Sequence, residues 1–367
     1  MQRKAWLSVL PSNAVALARR QWPPDTGARR LLWGHDVLEF VKRTLRDNDR
    51  SGSASPTNEQ LEPKRPSIGL ALGGGAARGF AHVGIIRTLE KYGIVPQIIA
   101  GTSIGAVVGG LYAAGKLDAF EEWARTLTRR RVFGYLDFSI AGSGVIGGAR
   151  LADSLSREIA ETRIEDLPIK FSAIATEIGT GHEIWLTRGK LTDALTASYA
   201  LPGMFPAVSV GDRWLMDGAL VNPVPVSAAR AAGARLVIAV NLTSFLGSTG
   251  TIIQQHSAAE AESAGEEANE EKPRGLRGTA ERLLRRKFAG TQNKPGLSTV
   301  MIEAFNIMQD RITRARLAGD PPDVTIVPRL DHIGFFDFHR AEETIALGVQ
   351  IAEKSIDAIL EAADALA

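Results

Sequence analysis

Gly101-Thr102-Ser103-Ile104-Gly105 sets a serine between two glycines, directly after the apolar run Gln97-Ile-Ile-Ala100 and at the head of a small-residue stretch from Ile104 to Ala114. A strand that turns sharply into a helix at such a point exposes the serine Oγ near the helix N-terminus. Free N–H groups and the positive end of the helix dipole there favour developing negative charge. That is what an acyl-transfer nucleophile needs; the competing reading is a plain Gly-Ser turn. A second element, Gly73-Gly74-Gly75-Ala76-Ala77-Arg78-Gly79, also lies between an apolar run, Ser67 to Leu72, and a helical stretch. Clustered glycines let backbone N–H groups point into a pocket, which suits a phosphate or an oxyanion. The spacing departs from the G-x-G-x-x-G dinucleotide fingerprint: Arg78 holds its sixth position, Gly79 comes one place late, and the Gly-Lys-Ser/Thr of a P-loop is absent. An oxyanion site beside the serine turn fits better. A third element, Asp217-Gly218-Ala219, follows Arg213 to Met216, which reads as a strand. Seen alone, Asp-Gly is a turn signal; its chemistry depends on what the fold brings beside it.

These elements need a scaffold of strands with helices between them, and the pattern supplies one. Ser67–Leu72, Gln97–Ala100, Phe171–Thr176, Glu183–Thr187 and Arg235–Val240 read as strands. Helical stretches fall at 78–92, 104–114 and 226–232. A helix at about 297–317, a strand at 323–327 and a last helix from Arg340 to about Leu360 complete the series. Strands alternating with helices predict an α/β fold. A Ser-Asp-His triad in that chain order would need a histidine after Asp217, and only His256, His332 and His339 follow it. His256 lies in a charged stretch; the other two read as surface or packing residues. His82 sits on the first helix with its facing open.

Together the three elements resemble the patatin-like phospholipases, particularly the bacterial single-domain kind. The resemblance covers roughly residues 66–245 and includes Ser198-Tyr-Ala-Leu-Pro-Gly-Met-Phe-Pro206 and Asp217-Gly-Ala-Leu-Val-Asn-Pro-Val-Pro225. Ile333-Gly-Phe-Phe-Asp-Phe-His-Arg340 looks like the family's C-terminal end. The chain departs from the family in its first 65 residues, in a charged insertion, and at Ala76, where plant members carry another glycine. The resemblance implies a three-layer α/β/α sandwich with a mainly parallel central sheet. It implies a Ser103–Asp217 dyad without histidine, an acyl-enzyme, and an oxyanion held by amides near Gly74, Gly75 and Ala76 within the loop Gly73–Gly79. Gly101, Gly105, Gly218 and Ala219 belong to its motifs. Arg78 would neutralise a lipid phosphate or make a structural contact. The implied substrate is a phospholipid or another fatty-acyl ester, and no metal or cofactor is expected. An esterase for soluble esters or thioesters, and a non-catalytic membrane-associated adaptor, are the alternatives.

Composition sets the remaining bounds. The chain has 367 residues, 44% hydrophobic and 23% charged, enough for a large packed core. Without cysteine there is no disulfide framework, thiolate nucleophile or Cys-type zinc site. The formal charge of +2 argues neither for nor against an anionic partner, and no nucleic-acid partner is expected. A cytoplasmic location, peripheral at the inner membrane surface, is the expectation; oligomeric state is not legible. The organisation expected is an N-terminal extension and linker at 1–65, a catalytic core at 66–245, a charged, disordered insertion at 246–295 and a C-terminal part of the same domain at 296–367. Trp6, Trp22 and Trp33 lie among six basic residues in the first 33 residues. That composition suits membrane contact through residues 1–46 or packing on the domain or a second subunit.

Overall fold

The computed structural model describes residues 66–135, 159, 161–243, 290–291 and 294–367. The N-terminal extension and nearly all of the charged insertion lie outside the described residues. The strands are β1 (Ile68–Leu72), β2 (Ile98–Thr102), β3 (Lys170–Glu177), β4 (Glu183–Leu186), β5 (Val208–Val210), β6 (Arg213–Asp217), β7 (Leu236–Val240), β8 (Gly290–Thr291), β9 (Lys294–Pro295) and β10 (Val324–Ile326). The helices are α1 (Ala81–Lys91), α2 (Ile104–Ala113), α3 (Leu117–Arg125), α4 (Arg129–Tyr135), α5 (Leu191–Tyr199), α6 (Val226–Ala231), α7 (Leu297–Gly319) and α8 (Ala341–Asp364).

Strands β10, β7, β1, β2 and β3 lie side by side and run parallel. Strands β4 and β6 pair antiparallel with β3, and β5 pairs antiparallel with β6. The two-residue ladder of β8 with β9 stands apart from this sheet. Strands β1, β2 and β7 are buried along their whole length, which is why they read as unbroken apolar runs. Alternation then divides their side chains between two faces. Ile68, Leu70, Leu72, Ile99, Ile238 and Val240 join one core with α1, α2, α3 and α8. Ala71, Ile98, Ala100, Val237 and Ala239 join a second core with α6 and with Leu317 of α7. The result is a three-layer α/β/α sandwich around a mainly parallel sheet.

The first layer is tight where α1 crosses α8. A Cβ placed on Gly84 would lie 2.1 Å from the Ile345 carbonyl oxygen, and one on Gly348 would lie 2.2 Å from that of Ala81. The helix expected at 78–92 begins instead with a 3-10 turn, Ala76–Phe80, ahead of α1. Ala76 enters that turn at φ 49°, and the Ala77 N–H donates to the Phe335 carbonyl, so the chain is already bent where a regular helix would start.

Candidate active site

Two of the three chemical elements meet because β3 is long. Ile174 pairs with Thr102 of β2 on one edge and with Trp185 of β4 on the other. The next residue, Ala175, pairs with Ile184 of β4 and with Asp217 of β6. Strand β6 therefore continues along the edge that β2 has just left. The C-terminal ends of β2 and β6 abut there, and Ser103, one residue past β2, meets Asp217.

Ser103 stands at φ 56° and ψ −123°, a strained turn between β2 and α2. Its carbonyl accepts from the N–H groups of Ala106 and Val107, which starts α2 at once. Glycine at 105 is required by close approach: a Cβ there would lie 2.2 Å from the Leu72 carbonyl oxygen. The Ser103 N–H donates to Ser198 Oγ at 2.9 Å, and that hydroxyl donates to the Ile174 carbonyl at 2.6 Å. Thr102 Oγ1 donates to the Asn222 carbonyl at 2.8 Å. The elbow is thus pinned from α5 and from the loop after β6.

The Ser103 hydroxyl donates to Asp217 Oδ2 at 2.8 Å. The other carboxylate oxygen accepts the Ala219 N–H at 2.8 Å. The backbone of Asp217 is also held, its N–H on the Ala200 carbonyl and its own carbonyl on Thr176 Oγ1. Gly218 lies against the Ile174 carbonyl, which leaves no room for a side chain. Asp217 is 2% exposed. Burial pushes its carboxyl up to about 7, against the downward pull of the Ala219 and Ser103 hydrogen bonds.

The glycine loop runs beside this pair: a Cβ built on Gly74 would lie 3.5 Å from Ser103 Cβ. Its N–H groups are not equivalent. Gly73 donates to the Val240 carbonyl and Gly74 to that of Pro223, both at 3.0 Å, so the oxyanion expectation narrows to Gly75 and Ala76. Gly79 packs against Ile104 and sets the spacing between the two loops. Arg78 is 4% exposed and its Nε donates to the Ile333 carbonyl at 2.9 Å, which ties the loop to the C-terminal segment. His82, fully buried, donates from Nε2 to the Gly73 carbonyl at 2.8 Å. Burial lowers its imidazole to about 4, so it braces the loop as a neutral ring. His332 pairs with Glu343, and His339 accepts from Arg129 Nε. Neither joins Ser103 and Asp217.

Ser103 and Asp217 open into an apolar cavity lined by Phe80, Val107, Phe120, Leu127, Phe205 and Phe335 among others. Phe80 meets Phe120 and Phe338 with ring centroids 5.9 and 6.1 Å apart. The bracing roles of Ser198, Thr176 and His82 escaped the sequence reading. A buried hydroxyl or imidazole that holds a loop leaves no spacing signal.

The pattern of the Patatin-like phospholipase family matches residues 70–230. An uncharacterized NTE family protein of Mycobacterium tuberculosis H37Rv is 34% identical over 337 residues, covering 80% of this chain and 92% of its own. A patatin-like phospholipase domain-containing protein of Caenorhabditis elegans is 38% identical over 188 residues, 49% of this chain and 14% of its own. VipD from Legionella pneumophila overlays with a TM-score of 0.38 at 12% identity, over 80% of this chain and 67% of that one, too loosely to argue from. The match along most of two chains, added to a family pattern that spans both the serine elbow and Asp217, establishes that this chain belongs to the patatin-like phospholipase family of lipid hydrolases.

Proposed function

We propose that the chain hydrolyses fatty-acyl esters of lipids through an acyl-enzyme on Ser103, with Asp217 as its proton acceptor. The observation that carries this reading is the 2.8 Å hydrogen bond from Ser103 Oγ to a buried Asp217 at the mouth of an apolar cavity. Ser103 Oγ attacks the ester carbonyl carbon while its proton passes to Asp217 Oδ2. The carbonyl oxygen becomes an oxyanion held by the N–H groups of Gly75 and Ala76. As the tetrahedral intermediate collapses, the carbon–oxygen bond to the alcohol breaks and Asp217 returns the proton to the departing oxygen. Water then attacks the acyl-enzyme, gives its proton to Asp217, and releases the fatty acid as Ser103 recovers its own. The apolar lining supports a long acyl chain over a small soluble acid.

The test is labelling by a fluorophosphonate probe together with hydrolysis of long-chain acyl esters. Wild-type protein is expected to do both. Substantial turnover by Ser103→Ala would overturn the proposal.

A further inference from the structure

The two sides of Ser103 differ in chemistry. The apolar cavity is built from the 3-10 turn Ala76–Phe80, from α2, α3 and α4, from the end of α5 with Leu201, Met204 and Phe205, and from the phenylalanines at 335, 336 and 338. On the second-layer side stands α7, whose Phe305 packs with Ala219 and with Leu201 and Phe335 of the cavity lining, and whose Leu317 joins the α6 core. Between those apolar anchors α7 turns Asn306, Gln309 and Thr313 inward, at 3%, 2% and 1% exposure. Their spacing puts them on one helix face. Asn306 Oδ1, Gln309 Oε1 and Thr313 Oγ1 have no hydrogen-bond partner among the described residues. Buried polar atoms are almost always paired, so three orphans in a row on one face point to a polar ligand.

Gln309 reaches the glycine loop. Its Nε2 lies 3.4 Å from the point that a Cβ on Gly74 would occupy, and the Cβ atoms of Ser103 and Ala219 each lie 3.5 Å from that same point. Glutamine, nucleophile and Ala219, whose N–H Asp217 accepts, thus converge on one side of the loop. Gln309 does not line the apolar cavity. With its acyl chain in that cavity, an ester seated on Ser103 would present its alcohol away from the apolar lining. Rotation about χ3 lets the carboxamide present either N–H or C=O there.

We propose that Gln309 recognises the leaving alcohol, hydrogen-bonding an oxygen of a glycerol-type ester held at Ser103. The inference rests on the reading of Ser103 as nucleophile. It makes Gln309 a specificity residue for hydrated, oxygen-rich alcohols, with Asn306 and Thr313 extending the polar wall behind it.

The experiment compares kcat/KM for three esters with one acyl chain: 1-palmitoyl lysophosphatidylcholine, 1-palmitoylglycerol and p-nitrophenyl palmitate. Since kcat/KM reports acylation, it senses the alcohol. Gln309→Leu keeps the bulk and removes the polarity; it is expected to lower the two glycerol esters about tenfold or more and p-nitrophenyl palmitate by less than about twofold. Gln309→Met, which keeps the length of the side chain without its polarity, is read in the same way if the leucine variant folds poorly. Loss on the phosphate-bearing ester alone would place the contact on phosphate; loss on both glycerol esters places it on glycerol oxygens. Equal rates in variant and wild type on all three overturn the inference while leaving the nucleophile intact. So does an equal fall on all three with slower fluorophosphonate labelling of Ser103, which marks a structural support. Wild-type protein that neither labels nor hydrolyses would overturn the reading of Ser103 itself, and this inference with it.

Discussion

A carboxyl group with an ordinary pKa near 3.9 accepts a proton from a serine hydroxyl poorly. Burial of Asp217 answers that difficulty by raising it to about 7. In the proposed mechanism Asp217 is protonated and idle as a base below that value, so kcat/KM for a p-nitrophenyl acyl ester is expected to rise about tenfold per pH unit and level off above about 7. Asp217→Asn and Ser103→Ala should each lower kcat/KM by about a thousandfold or more, measured on that ester, since members of a nucleophile–base pair act as a unit. The same burial links the site to stability. An unfolded aspartate titrates near 3.9, and in the fold Asp217 titrates at about 7. Between those values the folded state holds the extra proton. Its contribution is therefore full below about pH 4 and is lost as pH rises through about 7, a change of roughly 4 kcal/mol. Denaturant unfolding at pH 5 and pH 8 should show a smaller difference for Asp217→Asn than for wild type, because asparagine cannot ionise.

Among the elements, the crossing of α1 and α8 is where a small change should act at a distance from the chemistry. Gly84→Ala would put a methyl 2.1 Å from the Ile345 carbonyl oxygen, and separating the helices should cost about 1–3 kcal/mol. Thermal unfolding is expected to shift down while each folded molecule still labels at Ser103. What the sequence displayed of the fold follows from burial. Strands β1, β2 and β7 are covered on both faces, so their apolar runs announced them. Helix α3 was overlooked although Leu117, Phe120 and Ala124 recur at helical spacing, and α5, only nine residues long, went unread. The serine elbow was legible because its glycines are dictated by local geometry. The pairing of β6 beside β2 was not, since it depends on β3 being long enough to serve both. Gln309 was hidden for another reason: a glutamine in an amphipathic helix reads as solvent-facing, and only the packing of α7 turns it inward.

For the whole molecule, β1, the first described strand, starts at Ile68 and already has β2 and β7 on its two edges. A chain lacking residues 1–65 is therefore expected to keep its hydrolysis of a short soluble ester, measured against full-length protein; loss of folding would show that the extension contributes to the domain. Among the described residues no helix is long and apolar enough to cross a membrane. The abutment of β2 and β6 also bears on how the chain folds. Ser103 and Asp217 are 114 residues apart in sequence, and they meet only after one edge of β3 has collected β2, which precedes it in the chain, and β6, which follows it. Contacts of such long sequence separation form late, after local helices. During refolding from denaturant, far-UV circular dichroism should recover first and Ser103 labelling last, so a fluorophosphonate pulse would time the arrival of the final strand.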